Sequence, residues 1–368
     1  MTVPAEPQVD PNELLARFNP ILVALPQDFA RQRPRCTLWS RLLAGGTAVR
    51  GDFHPCSATF FLSHVRTRRR PQPWIPIPFV WVVMAACWIF PISIGGWGRP
   101  RAPLGIGALQ SLVLRTDPRE TLEWEMDIAP IKSQHPKRAW PTYRDMVTTF
   151  PEPFIPHAYG RWTRCQDRNL LQYWYLYCYN DGANHHEGDW EMVVIEVDDR
   201  GVPLRAGYSG HASGFQRPWD RVERGDADRP LVYVARGSHA AYFHHQREGH
   251  RTQSLPVVKG LRWPVDVIVR TVQRTLIDFF FFMRWQDFTP TRPGSSGDEP
   301  WNEGDFVDPK LCIFPEATQV TADGPYWWMR LRCRWGSRHA RILGTLAPHP
   351  PWERPRWDEP LEWLDSLV

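Results

Sequence analysis

The run LLQYWYLYCYN at residues 170–180, followed by WEMVVIEV at residues 190–197, predicts two neighbouring β-strands. Both runs are rich in aromatic and β-branched residues, which is typical of β-strands. Three further runs have the same character: PLRAGYSGH (203–211), PLVYVARGSHAAYF (230–243) and YWWMRLRCRW (326–335). Short turns such as 198–201 (DDRG) indicate antiparallel neighbours. We therefore predict a mainly β protein, an antiparallel β-sandwich with long loops and few helices.

Composition agrees with this fold class. The 368 residues include 20 Trp and 37 Pro, with 42% hydrophobic and 23% charged residues, which is typical of a globular protein that favours strands and rigid loops over helices. Helical periodicity is scarce, and the best candidate is around 265–285. Residues 289–306, TPTRPGSSGDEPWNEGDF, indicate a long polar loop.

Charge divides the chain unevenly. Residues 1–116 contain 13 Arg and 5 acidic residues, whereas the remainder contains 31 basic and 35 acidic residues. We predict a basic leader over 1–118, a β-sandwich module over 119–345, and a Pro/Trp-rich tail over 346–368 that packs across the module in extended form. A mildly acidic main module argues against a nucleic-acid partner.

Residues 71–98 form an apolar segment within the leader. They contain no charged residue over 28 positions and follow a cluster of arginines at 66, 68, 69 and 70. This length is enough to span a bilayer. Pro76, Pro78 and Pro91 interrupt the run, however, so two buried strands or a membrane-surface hairpin are alternatives to a spanning helix.

Cysteine spacing and the N-terminus bear on the compartment. The seven cysteines include no C-x-x-C pair, so neither a zinc ribbon nor a disulfide framework is indicated, and a reducing compartment is the simpler interpretation. The first fifteen residues lack the features of a cleavable signal peptide. We therefore expect a cytoplasmic or membrane-associated protein.

The densest polar cluster, NDGANHHEGDWE, occupies residues 180–191 between two apolar strands. Asp189 and Glu191 are two residues apart at a strand start, so their carboxylates share one face. His186 and Asp181 can approach the same point from the loop. One imidazole and several carboxylates are ligands that favour Mn, Mg, Ca or Zn as the bound divalent ion. The alternative is an exposed loop whose acids are simply solvated.

His211 and His239 lie at other strand ends and are candidates for a general base. Ser238 and His239 are sequential, so on a strand they would face opposite sides and could not act as a nucleophile–base pair. A buried, hydrogen-bonded role is the plainer interpretation of His239. The chain lacks the common hydrolase, P-loop and dinucleotide motifs, so whether it is an enzyme stays open.

The motifs QYWYLYCYND, HEGDWEMVVIEV, YSGHASG and PLVYVARGSHAAYF resemble, in order and spacing, the core of the family typified by vacuolar protein sorting-associated protein 62, over about residues 170–245. Residues 173–191 also resemble, more remotely, the necrosis- and ethylene-inducing-like cytolysins. That second resemblance implies a divalent cation inside a β-sandwich, held by Asp181, His186, Asp189 and Glu191.

Two departures limit what the cytolysin resemblance implies. Gly188 stands where the cytolysin motif has a second histidine, and no secretion signal or paired cysteines accompany the motif, so toxicity is not carried over. Residues 1–118 are covered by neither resemblance.

Three functions follow from these observations. The first is metal-dependent recognition of a glycan or lipid headgroup that completes the coordination shell. The second is a metal-assisted hydrolase or lyase that uses His211 or His239 as general base. The third is a membrane-trafficking or structural adaptor in which the acidic loop only stabilises the fold. Protein partners and the oligomeric state are left open.

Overall fold

The computed structural model of the chain describes residues 10–24, 54–69, 104–128, 146, 155–180, 186–210, 213–235, 238–244, 305–336 and 349–367. Within these residues the protein is mainly β and its strands form three sheets, so the predicted fold class is confirmed. The apolar segment 71–98 and the helix candidate at 265–285 lie outside the described residues.

The strands in the described residues are β1 (Ile21–Ala24), β2 (Val65–Arg69), β3 (Trp124–Ile128), β4 (His157–Cys165), β5 (Arg168–Asn180), β6 (His186–Val197), β7 (Pro203–Gly210), β8 (Ser213–Pro218), β9 (Leu231–Val234), β10 (Ala241–Tyr242), β11 (Asp305–Val307), β12 (Lys310–Ile313) and β13 (Arg334–Trp335). The α-helices are α1 (Pro11–Arg17), α2 (Ala58–Ser63), α3 (Ile106–Leu114), α4 (Pro355–Asp358) and α5 (Pro360–Asp365).

The largest sheet has six strands in the order β12-β4-β5-β6-β7-β8. It is antiparallel from β4 to β8, and only its edge pair, β12 with β4, is parallel. The predicted turn at 198–201 joins β6 to β7. Its closing hydrogen bond runs from Gly201 N to Asp198 O at 3.0 Å, and the Asp198 side chain accepts from the backbone of Arg200 and Val202. The turn chemistry read from the sequence is therefore confirmed.

Both faces of the six-stranded sheet are covered. On one face, the Tyr173 hydroxyl donates to Leu15 O of α1, and the Tyr208 hydroxyl donates to Leu231 O of β9. Strand β9 belongs to a four-stranded sheet of order β10-β9-β1-β11. On the other face, Trp174 packs against Trp357 of the C-terminal tail, with ring centroids 6.1 Å apart. The core therefore lies in two layers, one on each side of β5 and β6.

The C-terminal tail packs across the sheet as predicted, but it is not extended. Residues 349–367 contain a 3-10 turn (Pro351–Glu353) and helices α4 and α5. Each of the two helices has proline in its first turn, where the missing N–H removes no helical hydrogen bond. The prolines that suggested an extended tail are thus helix starts.

The run at 326–335 is also only partly a strand. Residues Trp327–Arg330 form a 3-10 helix, and β13 is limited to Arg334–Trp335. The Trp327, Trp328 and Met329 side chains are all buried, which a 3-10 turn permits but a strand with one exposed face does not. The aromatic content of this run thus predicts burial correctly, but it predicts a strand correctly only at residues 334–335.

Residues before position 119 contribute to the sheets. Strand β1 lies between β9 and β11, and β2 pairs with β3 in a three-stranded sheet of order β13-β3-β2. The division into leader, module and tail stays a prediction, although β1 and β2 share sheets with strands from beyond residue 119. Within the described ranges, no helix is long and apolar enough to cross a membrane.

Close approach between β6 and β13 depends on two glycines. A Cβ on Gly336 (φ 129°) would lie 1.9 Å from Glu187 O, and a Cβ on Gly188 (φ 63°) would lie 1.8 Å from Trp335 O. Backbone atoms occupy both positions, so neither clash can be relieved by a side-chain rotation. These positions therefore require glycine.

We expect Gly336→Ala to lower the free energy of unfolding by about 3 kcal/mol, because it combines a disfavoured φ with a backbone clash. Urea unfolding with an unchanged m-value is the measurement. Gly107→Ala is the control: its Cβ would meet nothing within 4 Å in α3, and alanine should stabilise that helix by up to about 1 kcal/mol. Equal stability of the two variants would contradict the close approach.

Candidate functional site

Asp189 and Glu191 lie on β6 within the six-stranded sheet. They are two residues apart, so their side chains share the face covered by α1 and β9, as the sequence predicted. Tyr177 and Tyr175 of β5 are their direct cross-strand neighbours. The two carboxylates are only 6% and 5% exposed, which excludes the alternative of two solvated surface acids.

Asp189 is held by two neighbouring groups. Asn180 Nδ2, at the end of β5, donates to Asp189 Oδ2 at 2.9 Å and also lies 3.4 Å from Ser238 O. His239 Nδ1 lies 3.3 Å from the same Oδ2 atom. Residues from β5, β6 and the connection between β9 and β10 therefore meet at one carboxylate oxygen.

His239 is buried, as the sequence indicated, with 2% exposure. Its ring stacks on Tyr177 with centroids 4.0 Å apart and planes 5° from parallel. Ser238 and His239 lie in the connection between β9 and β10 rather than on a strand, so the argument from opposite strand faces does not apply to them. His239 has a φ of 61°, an uncommon conformation for a residue with a side chain, and its N–H donates to Ala235 O at 3.1 Å.

Glu191 is held by Ser209 of β7. The Ser209 hydroxyl donates to Glu191 Oε2 and accepts from Met192 N at 2.7 Å, so one buried hydroxyl serves both a carboxylate and a strand amide. Sequence reasoning missed both Ser209 and Asn180 as parts of the site. The available signal was a single polar residue at the end of an otherwise buried run, because such a residue needs a partner.

Two arginines from the C-terminal tail lie near the carboxylates. Arg354 Nη1 donates to the carbonyl oxygen of Trp190, the residue between Asp189 and Glu191, at 3.0 Å. Burial lowers the pKa of the Arg354 guanidinium, the charge of Arg356 lowers it further, and Glu191 and Asp189 raise it. Burial also lowers the pKa of Arg356, and the same two acids oppose that effect. The tail thus brings positive charge close to two buried acids.

Tyr177 also experiences the two acids. Burial raises the pKa of its phenol well above the usual value, and the charges of Glu191 and Asp189 raise it further. The phenol therefore stays neutral and presents a flat ring to His239 without adding a charge to the site.

The remaining predicted site residues are not all described. Asp181 and His211 lie outside the described residues, and of His186 only the backbone, which begins β6, is described. Among the side chains that are described, no group of three or more His, Cys, Asp and Glu lies close enough together to hold a metal ion. The four-residue metal site stays a prediction. Of its four side chains, the structure describes those of Asp189 and Glu191.

No protein-family model matches the chain. A curated relative is TDA6 of Saccharomyces cerevisiae, which carries a provisional name as a vacuolar protein sorting-associated protein and is 23% identical over 210 residues. The match covers 50% of this chain and 38% of the yeast protein, so the chain spans about two fifths of the length of its relative. The resemblance to vacuolar sorting-associated proteins is thus supported at the level of a distant relationship.

Solved structures with local likeness include NLPPya in complex with glucosamine, at 14% identity and a TM-score of 0.19, covering 23% of this chain and 48% of that protein. The non-toxic HaNLP3 protein is another, at 22% identity and a TM-score of 0.19, covering 21% of this chain and 39% of that protein. Both likenesses extend over less than a quarter of the chain and do not establish a shared fold.

We expect Ser209→Ala to lower the free energy of unfolding by about 1–3 kcal/mol, because it removes a donor from the Glu191 carboxylate and an acceptor from the buried Met192 amide. Chemical denaturation measures the change. Ser111→Ala is a matched control, since that hydroxyl donates to Gly107 O on the exposed side of α3 and its loss should cost no more than about 0.5 kcal/mol. A similar loss in both variants would show that the Ser209 contacts are not special.

Proposed function

We propose that the protein is a recognition module in which a divalent cation, held by Asp189 and Glu191 together with Asp181 and His186, binds the hydroxyls or phosphate of a glycan or lipid headgroup. The observation that carries this proposal is the burial of two carboxylates on one strand face beside His239. Like charges held close together are costly unless a cation or a proton lies between them.

The donor set fits a hard divalent ion. Asp189 and Glu191 supply carboxylate oxygens, and the predicted partners add one carboxylate and one imidazole, a combination that suits Mn, Mg, Ca or Zn. Asn180, His239 and Ser209 each contact one of the carboxylates and would orient them for the ion. When bound, the cation would supply a positive centre whose coordination shell oxygen atoms of a ligand can complete.

A cation at this place would be suited to binding. Asp181 follows β5 and His186 begins β6, so the ion would lie at this end of the two strands, where a sugar hydroxyl or a phosphate oxygen can reach it. Binding of this kind depends on the cation and is abolished by a chelator.

A second candidate is favoured by Arg354 and Arg356. If these guanidinium groups neutralise Asp189 and Glu191, the acids stabilise the fold without a metal, as in the adaptor hypothesis. Breaking a buried ion pair of this kind destabilises the fold strongly, because removal of one partner leaves an uncompensated buried charge. Metal content distinguishes the two candidates.

The hydrolase alternative is the least supported of the three. His239 is 2% exposed and its ring is stacked on Tyr177. A general base must come within hydrogen-bonding distance of the substrate proton, and a ring enclosed in this way is poorly accessible to a substrate. His211 stays a prediction.

We expect the full chain, reconstituted with Mn, Mg, Ca or Zn and then desalted, to retain about one equivalent of one of these ions by elemental analysis. The Asp189→Asn/Glu191→Gln variant should retain none, because it keeps the shape of both side chains and removes their charge. Chelation should lower the Tm of the wild type by several degrees and leave that of the variant unchanged. Glu362→Gln, an exposed acid on α5, is the control and should behave as wild type.

Ligand class is tested with the same proteins on glycan arrays and on vesicles of neutral and anionic lipids, each with and without chelator. Chelator-sensitive binding to one class identifies the ligand. Absence of a stoichiometric metal in the wild type would overturn the proposal and favour the pairing of Asp189 and Glu191 with the tail arginines.

A further inference from the structure

Two buried cysteines from distant parts of the chain lie in contact. The Sγ atoms of Cys56 and Cys178 are 3.3 Å apart, although 122 positions separate the residues in the sequence. Their exposures are 0% and 1%, so both thiols are enclosed in the hydrophobic core. Nothing in the spacing of the seven cysteines indicated this pair.

The backbone holds the two residues in register. Cys56 N donates to Leu176 O at 2.7 Å and forms an isolated β-bridge with that residue of β5. Leu176 is two residues before Cys178, so the bridge brings Cys56 beside the second cysteine. Immediately after it, Ser57 caps α2 by accepting from Phe60 N, and Ala58 N donates to the Tyr159 hydroxyl. The start of α2 is thereby fixed against β4 and β5, and the thiol contact is a fixed feature of the packing.

We propose that Cys56 and Cys178 form a disulfide that fastens the α2 segment to β5 when the chain folds under oxidising conditions. The sulfur atoms need to approach by a little over 1 Å to reach a bonding distance of about 2.0 Å, which small side-chain rotations can supply. All five described cysteines are free thiols in this structure, and those at 165, 312 and 333 lie outside the contact.

The oxidant is a low-molecular-weight disulfide such as glutathione disulfide. The thiolate of one cysteine attacks the glutathione disulfide, releasing one glutathione thiol and forming a mixed disulfide. The second protein thiolate then displaces the other glutathione. Two protein thiols lose their protons and two electrons in all, one S–S bond forms in the protein, and one S–S bond of the oxidant breaks.

The bond forms during folding rather than in the folded protein. Both thiols are enclosed in the native state, so a mixed disulfide has no space there, whereas in the unfolded chain both are accessible. Burial also raises the pKa of the Cys178 thiol well above its usual value, and the neighbouring Cys56 raises it further, which disfavours the reactive thiolate once the core has closed. A disulfide at this position would require the chain to fold in an oxidising compartment and not in the reducing one expected from the cysteine spacing.

The test is to refold the full chain in a glutathione buffer rich in the oxidised form, block free thiols, and map peptides without reduction. We expect a dominant peptide pair joining Cys56 to Cys178. The Tm should be about 10 °C higher than in the reduced protein, because a long loop is closed in the unfolded state. This measurement needs only the wild-type protein, so its result does not depend on whether a variant folds.

Two variants sharpen the outcome. In Cys56→Ser/Cys178→Ser the Tm should be the same with and without reductant, while Cys312→Ser, a half-buried cysteine on β12, should keep the full difference. Absence of the linked peptide, linkage of either cysteine to another partner, or a Tm shift that persists in the double variant would each overturn the proposal. The proposal is independent of metal binding.

Discussion

The pairing of β5 with β6 forms the centre of the largest sheet, and the other layers pack against it. The antiparallel register runs from Asn169 opposite Val197 to Asn180 opposite His186, and twelve of the thirteen residues of β5 are buried. A strand pair that is apolar on both faces is stable only if each face is covered. The four-stranded sheet with α1 provides one cover, and the C-terminal tail provides the other.

Burial on both faces makes every polar group in this strand pair expensive unless it has a partner. Asp189 and Glu191 meet that condition through Asn180 and Ser209, which are themselves the polar residues at the ends of β5 and β7. Arg354 brings positive charge from the tail to the carbonyl oxygen of the residue between them. The cover on the second face thus serves the electrostatics of the site as well as the packing.

The two described carboxylates of the site, Asp189 and Glu191, are on a central strand. The His239 connection is fixed beside them by stacking on Tyr177 and by its hydrogen bond to Ala235. Groups held on sheet strands keep their geometry better than groups on loops, which suits the proposed cation site. The left-handed backbone of His239 is a local cost that this surrounding structure maintains.

The fold class, the strong strands, the turn at 198–201 and the shared face of Asp189 and Glu191 can be predicted from the sequence, because they depend on local composition and on the two-residue period of a strand. What covers the strands, and which groups meet, depends on how the layers pack. The helical tail, the 3-10 helix at Trp327–Arg330, the contact of His239 with Asp189 and that of Cys56 with Cys178 each join parts of the chain that are far apart in sequence, or depend on such packing. Local sequence patterns carry no information about contacts between distant parts of the chain, because the packing of the layers against each other determines these contacts.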